Sequence, residues 1–213
     1  MKGTVLRRGL KLARERGPVA LVTEALRRYV FDVRHFYLYK HHHSGQGTLT
    51  RTSAWSLEEF FVMDNATADQ IAREREDFRV YSRNAEKALH GGAVAFCVYA
   101  GPQVAHVGWI ATSAKSRRVL DRLGYDIRFD EGEAWTGAAY TSKRWRGQGL
   151  LVYSCQRRFE YLKACGIEFS RAAVEMSNIP SHRATMRFNP RIYACGRQVK
   201  VFSVLRWWSE RPA

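Results

Sequence analysis

The 213-residue sequence predicts an α/β (α+β) protein, in which a mixed, mostly antiparallel twisted sheet is flanked by helices. A strand, a basic loop with two glycines and a helix follow one another between residues 134 and 166. Two hydrophobic strands on either side of Gly101-Pro102 predict a hairpin. Basic residues surround apolar stripes in the first 45 positions. We therefore expect a basic helical N-terminal extension over residues 1–45 and one α/β domain over residues 46–213.

The N-terminal extension is expected to hold two amphipathic helices separated by Gly17-Pro18. Apolar residues recur at helical spacing in both helices: Leu6, Leu10 and Ala13, then Val22, Leu26, Tyr29, Val30, Val33 and Phe36. Residues 1–45 contain ten Lys or Arg and three Asp or Glu, a net +7 out of +15 for the chain. The three histidines at positions 41–43 then predict a flexible junction, since adjacent side chains seldom converge on one metal ion.

The remaining elements follow from hydrophobic periodicity and from turn residues. The pattern predicts strands at 55–63, 93–100, 103–112, 134–141, 168–175, 191–195 and 198–205. It predicts helices at 68–89, with Asn65 as N-cap, at 116–123, from 151 to a cap at Gly166, and at 180–188. The domain thus alternates strands and helices around one central strand-loop-helix unit.

The basic loop of that unit predicts an anion site. Gly147 and Gly149 allow the backbone to approach a ligand, and the first N–H groups of the following helix lack partners within the helix. A phosphate would be favoured there by the helix dipole and by Arg144 and Arg146. A dinucleotide fingerprint would require a third glycine where Val152 stands, and a Walker loop would require Gly-Lys-Ser/Thr. Both of these phosphate loops are therefore excluded.

Two stretches carry a family resemblance. Arg144-Trp-Arg-Gly-Gln-Gly149 resembles the Q/R-x-x-G-x-G/A motif of the GNAT acyltransferases, and Asn178-Ile-Pro-Ser181 is similar to their N-x-x-A/S stretch. The element order also resembles the GNAT fold over most of residues 50–208. The resemblance implies an N-acyltransferase that uses acetyl-CoA (acyl-CoA) as co-substrate and no metal. It implies a cofactor site formed by Ala139, Tyr140, Thr141, Arg144, Arg146, Gly147, Gln148, Gly149, Leu150, Leu151, Asn178 and Ser181.

The resemblance also suggests catalytic residues. Glu133 has the spacing from the loop of the glutamate base in histone-modifying members, and strand alternation turns it toward the expected cleft. It is equally compatible with a solvated glutamate at a strand end. His106 on the preceding strand is the substitute base, or else a hydrogen-bonded structural histidine. The family's acidic tyrosine falls on Thr185, a poor acid, which leaves water, Ser181 or Tyr193 to protonate the leaving thiolate.

The net charge of +15 indicates acidic partners. One reading is a CoA thioester donor with an amine-bearing small molecule or saccharide as acceptor. A second reading has an acidic donor, either an acyl carrier protein or an aminoacyl-tRNA. A third is a non-catalytic basic adaptor that docks on a membrane or nucleic acid. Since the four cysteines form no C-x-x-C pair and no secretory or membrane-spanning segment is found, we expect a cytoplasmic protein, with peripheral contact to anionic membrane as the minority outcome.

Overall fold

The computed structural model describes Val19 and residues 31–43, 58–202 and 205–213. Its strands are β1 (Phe31–His42), β2 (Glu58–Met63), β3 (Val94–Ala100), β4 (Gln103–Ala111), β5 (Glu133–Thr141), β6 (Phe169–Glu175), β7 (Arg191–Val201) and β8 (Leu205–Pro212). Its helices are α1 (Asn65–Glu74), α2 (Ala85–His90), α3 (Ala114–Leu120), α4 (Leu150–Ala164) and α5 (Ile179–Met186). Short 3-10 helices lie at Phe78–Tyr81, Phe129–Glu131 and Lys143–Trp145.

The predicted fold class is confirmed. The eight described strands form one sheet in the order β2-β3-β4-β5-β6-β1-β7-β8, with helices against it. Every neighbouring pair is antiparallel except β5 and β6, which run parallel. The part of the predicted N-terminal helices up to residue 30 lies outside the described residues, with the exception of Val19, which is helical and exposed.

Strand β1 is the main correction to the sequence-based predictions. The second N-terminal helix was expected to reach Phe36, and residues 41–43 to form a flexible junction. Instead, β1 lies between β6 and β7, with Phe36 opposite Glu175 on one side and Gly196 on the other. A strand inside a sheet buries both of its faces, so an apolar run there need not alternate with polar residues. Residues 31–42 therefore belong to the sheet, and the expected boundary at residue 45 does not separate them from it.

Smaller corrections concern the ends of elements. The helix expected at 68–89 is divided into α1, a 3-10 turn and α2, and Asp64 rather than Asn65 caps α1 by accepting a hydrogen bond from the Thr67 N–H at 2.8 Å. Helix α3 ends before Asp121 and does not reach Gly124. The strands expected at 191–195 and 198–205 are wrong in their division: β7 runs without a break to Val201, and the chain turns after it, where Phe202 has a left-handed φ of 49°, into β8.

The sheet has two differently covered faces. The larger core lies on the face covered by α1, α2 and α3, and includes Leu38, Trp109 and Trp135. On the opposite face, α4 packs Phe159 and Leu162 against Phe96 and Ile110. Helix α4 follows the basic loop in the chain. Because these apolar contacts hold the helix against the sheet, they fix the direction in which its N-terminus points.

Candidate functional site

The site begins where β5 and β6 separate. The parallel pairing joins Glu133 to Phe169, Ala134 to Ser170 and Trp135 to Arg171, and then ends. Beyond that point β5 stays paired with β4 as far as Thr141. Backbone N–H and C=O groups on the outer half of β5 that do not bond to β4 therefore face a gap. The two strands therefore separate after Trp135 and Arg171.

A bulge in β5 shapes the edge of this gap. The register with β4 shifts between Val107 and Trp109, and Ala138 has a left-handed φ of 46°. Strand β5 is buried from Glu133 to Thr136, whereas Ala138 and Ala139 are exposed. A non-glycine residue at positive φ is uncommon and is retained at sites where the surrounding structure imposes it. The bulge therefore interrupts the regular pairing of β5 with β4 beside the gap.

The basic loop completes the rim of the gap. Gly147 and Gly149 both have positive φ, 79° and 83°, and no atom lies within 4 Å of the position where a Cβ would stand on Gly147. Gly149 is the N-cap of α4 and has no side chain to cap the first helical N–H groups. Arg144 and Arg146 are exposed, and Arg146 Nε donates to the Thr141 carbonyl at 3.2 Å. The loop therefore presents N–H groups and positive charge together.

The other predicted cofactor residues lie on both sides of the gap. Tyr140 is stacked on Tyr81 with ring centroids 4.5 Å apart. Leu150 is buried beside the loop and Leu151 is half-buried. Gln148 is exposed. After the tip of β6, Asn178 caps α5 by accepting a hydrogen bond from the Ser181 N–H at 3.3 Å, so this stretch has a structural use as well.

Glu133 lies at the paired end of β5, below the opening. Its carboxylate is buried and accepts hydrogen bonds from Arg171 at 2.6 and 2.9 Å and from the Arg128 N–H at 3.1 Å, and Lys40 Nζ lies 3.0 Å away. Burial raises the pKa of Glu133, but these bonds outweigh it and hold the pKa at about 2. A carboxylate with this pKa is a weak base. The geometry favours a structural role.

Tyr193, the other predicted acid-base group, belongs to the same cluster. The Arg171 guanidinium lies over the Tyr193 ring, 4.7 Å from its centroid. Burial raises the pKa of the phenol, and the positive charge and hydrogen bonding of Arg171 partly offset that rise. The structure thus brings Glu133 and Tyr193 together through Arg171, directly below the point at which β5 and β6 separate.

His106 occupies a separate buried site beneath α4. Its side chain is fully buried, and Nδ1 lies 2.8 Å from Thr141 Oγ1, while Nε2 has no hydrogen bond to a described residue. Burial, together with the positive charge of Arg158, lowers the pKa of His106 to about 3. Arg158 is buried as well, and it donates to the carbonyls of Ser154 and Trp109 at 3.2 and 3.3 Å. His106 is therefore neutral at physiological pH.

A pair that the sequence analysis missed lies between β1 and α5. Tyr39 Oη and His182 Nδ1 are 2.7 Å apart, and His182 Nε2 lies 3.1 Å from the Glu175 carbonyl. Because a carbonyl only accepts, Nε2 carries a proton, and in the neutral ring Tyr39 donates to Nδ1. His182 is one helical turn before the buried Thr185. The alternation of Tyr37, Tyr39 and His41 was the available signal for this strand, but the sequence analysis predicts a helix as far as Phe36 and a flexible junction at residues 41–43.

The comparisons with known proteins agree with this geometry. A GNAT-family acetyltransferase from Novosphingobium aromaticivorans is similar at a TM-score of 0.51 and 11% identity, covering 80% of this chain and 65% of that one. The fold is GNAT-like. A GNAT-family acetyltransferase from Colwellia psychrerythraea is similar at 0.50 and 15%, covering 86% and 62%. A GCN5-related N-acetyltransferase from Sphaerobacter thermophilus is similar at 0.51 and 11%, covering 85% and 56%.

The resemblance is one of fold. The chain spans less than two thirds of the length of each of these three structures. No family model matches the sequence, and no curated protein matches it. Among the described residues, no helix is long and apolar enough to cross a bilayer. No group of His, Cys, Asp and Glu within the described ranges has the arrangement of a metal site.

Proposed function

We propose that the protein is an N-acyltransferase that moves an acyl group from acyl-CoA to an amine. The observation that carries the proposal is the separation of β5 from β6 directly beside a loop with two left-handed glycines. In the GNAT-like fold this arrangement offers β5 peptide groups to a pantetheine arm and helix N–H groups to a pyrophosphate. Arg144 and Arg146 supply positive charge for the phosphates.

The proposed reaction forms a C–N bond and breaks the C–S bond of the thioester. The amine nitrogen attacks the carbonyl carbon and later loses one proton, while the CoA thiolate leaves and takes up one proton. Peptide N–H groups near the Ala138 bulge would stabilise the negative charge on the carbonyl oxygen. Since the pKa of Glu133 is about 2 and that of His106 about 3, neither is a strong base. The acceptor is therefore expected to react as the amine that is already neutral on binding.

His182 is the proposed proton donor for the leaving thiolate. It follows the Asn178–Ser181 stretch on α5 and precedes Thr185, the position of the tyrosine in the family, by one turn of the helix. The hydroxyl of Tyr39 fixes the ring through Nδ1. In this role His182 gives the thiolate the Nε2 proton, which in the structure is donated to the Glu175 carbonyl, and it keeps the Nδ1 proton, which is donated to the Tyr39 hydroxyl. Tyr39 is then a positioning residue.

The proposal is tested by calorimetry of CoA binding to two glycine variants. Gly147→Leu should weaken CoA binding by about 2 kcal/mol or more, because a side chain there blocks backbone approach to the pyrophosphate. Gly132→Leu is the matched control, since Gly132 also has a positive φ, 76°, and open space around its Cβ position. It imposes the same kind of backbone strain away from the loop. Equal CoA affinity in the two variants would contradict the proposal.

A further inference from the structure

A groove opens on the face of the sheet covered by α3, next to the end of β6. Its cavity volume is about 340 Å³, which falls in the range of small-molecule sites. Strands β1 and β7 contribute Phe36 and Gln198 to the groove, and α3 and the residues after it form a wall. Phe36 pairs with Glu175, the last residue of β6, so the groove lies at the end of the sheet where β5 and β6 have separated.

The groove is lined by cations. Five of its residues are basic: Arg34, Arg83, Arg122, Lys200 and Arg206. Arg34 and Lys200 share Asp32, at 3.0 and 3.7 Å. Arg83, Arg122 and Arg206 form no ion pair with any residue that the structure describes. Their charges are therefore available to a ligand.

The carboxylate that lines the groove does not neutralise it. Asp121 accepts hydrogen bonds from the Tyr125 hydroxyl and the Trp135 indole N–H, both at 3.0 Å, and from the Leu123 N–H at 2.8 Å. Arg117 lies 3.7 Å from the same carboxylate. These contacts hold the Asp121 carboxylate against one wall of the groove. Its charge is thereby shared with Arg117, which is not one of the five lining cations.

A buried polar side chain adds a hydrogen-bonding group to the positive charge. Gln198 is 5% exposed and lines the groove, where its amide can form a hydrogen bond with a ligand. Arginines bind phosphate oxygens with two parallel N–H bonds, and an amide can add a further bond. Several guanidinium groups and one amide along the same groove suit a phosphate group.

We propose that this groove binds a phosphate group carried by the amine acceptor. The inference rests on the proposed acyl transfer and names its acceptor class, an amine that bears a phosphate. Position supports it, because the groove includes Phe36, which pairs with the last residue of β6, and the thioester is proposed to lie where β6 has separated from β5. The phosphate can belong to a soluble phosphoamine or to a lipid headgroup, and the experiment distinguishes the two.

The experiment is a titration of the full chain with O-phosphoethanolamine, with ethanolamine as the probe that lacks phosphate. We expect the phosphorylated probe to bind and ethanolamine not to bind at matched concentration. Arg122→Gln and Arg83→Gln should each weaken binding tenfold or more, since each removes a charge that faces the phosphate. Arg118→Gln is the matched control, because this substitution removes the same charge from an exposed residue of α3 that does not line the groove. Equal affinity in the Arg122 and Arg118 variants would overturn the proposal.

Two further measurements distinguish a lipid headgroup from a soluble acceptor. Vesicles of phosphatidylcholine with and without phosphatidylethanolamine test the lipid source, and binding that needs the second lipid and is lost in Arg122→Gln assigns a headgroup. Binding of the soluble probe alone assigns a soluble acceptor. Both results support a phosphate site. CoA affinity is measured on the same preparations, so a failure of CoA binding counts against acyl transfer, whereas a failure of phosphate binding counts against this groove.

Discussion

Arg171 donates two hydrogen bonds to the carboxylate of Glu133, from Nε to Oε2 at 2.6 Å and from Nη2 to Oε1 at 2.9 Å. The two residues belong to β6 and β5, and they lie where those strands still pair. Lys40 joins them from β1. This ion cluster therefore ties three strands together directly below the point at which the cleft opens.

Glu133→Gln should reduce stability more than it affects chemistry. The pKa of Glu133 is lowered from 4.5 to about 2, so its contribution is fully present above pH 4.5 and is lost as the pH falls toward 2. The shift corresponds to roughly 3 kcal/mol at pH 7. Urea unfolding should show that the free energy of unfolding of the Glu133→Gln variant is lower than that of the unsubstituted protein at pH 7, and that this difference is smaller at pH 3. Glu131→Gln, at an exposed ion pair with Arg128, is the control and should change stability by less than about 1 kcal/mol. Normal stability with lost turnover would instead identify Glu133 as the base.

The buried histidines should make the fold sensitive to mild acid. Burial, with the charge of a neighbouring group, lowers the pKa of both His41 and His106 to about 3 from an ordinary 6.5. The unfolded chain takes up these protons first, so stability is complete above pH 6.5 and falls as the pH drops toward 3. In the His106→Asn variant, the free energy of unfolding should fall by several kcal/mol less over this pH range than in the unsubstituted protein. Denaturant midpoints from pH 7 to pH 4 measure it, and parallel curves for the two proteins would argue against a buried neutral His106.

Leu38→Ala should destabilise the sheet strongly. Leu38 is fully buried in the large core, so the substitution should cost about 3 kcal/mol through lost burial and a cavity. Val33→Ala on the same strand is the control, because Val33 is 43% exposed and its loss should cost less than about 1 kcal/mol. Urea unfolding of the two variants provides the comparison. Similar small losses would mean that β1 does not lie in the core.

Substitutions in the Tyr39–His182 pair should reduce turnover without loss of CoA affinity. If His182 protonates the thiolate, His182→Gln should lower kcat by roughly 100-fold, a typical effect of losing a general acid. Tyr39→Phe keeps the ring but removes the hydroxyl, so it should lower kcat less and shift the pH dependence of kcat. Poor thiol leaving groups should be affected more than good ones. A uniform loss for all leaving groups would indicate a structural pair only.

The sequence predicts those parts of the site that depend on local patterns. The strand, the glycine loop and α4 are adjacent in the chain, and their glycines and periodicity mark them directly. Strand alternation predicted that Glu133 faces the cleft, whereas its carboxylate lies at the paired end of β5 in an ion cluster. Its partners were not visible, because Lys40 and Arg171 come from distant parts of the chain and a pKa near 2 requires all three side chains in contact.

Strand β1 shows why the remaining part was missed. The apolar residues up to Phe36 fit a helical stripe, and from Phe36 to His41 almost every side chain is at least half-buried on one face or the other. A strand buried on both faces lacks the alternation that distinguishes it from a helix. The partners that decide its structure, β6 and β7, begin more than a hundred residues later.

The central position of β1 also has a consequence for biosynthesis. The ribosome makes β1 before every other described strand, yet both of its hydrogen-bonding neighbours are made more than a hundred residues later. Until β7 has emerged, a strand rich in aromatic residues is without its partners, and contacts this distant in sequence slow folding. The nascent chain therefore exposes the aggregation-prone residues of β1 for a prolonged interval. Sheet closure is consequently expected to be a late event, and one that benefits from chaperones.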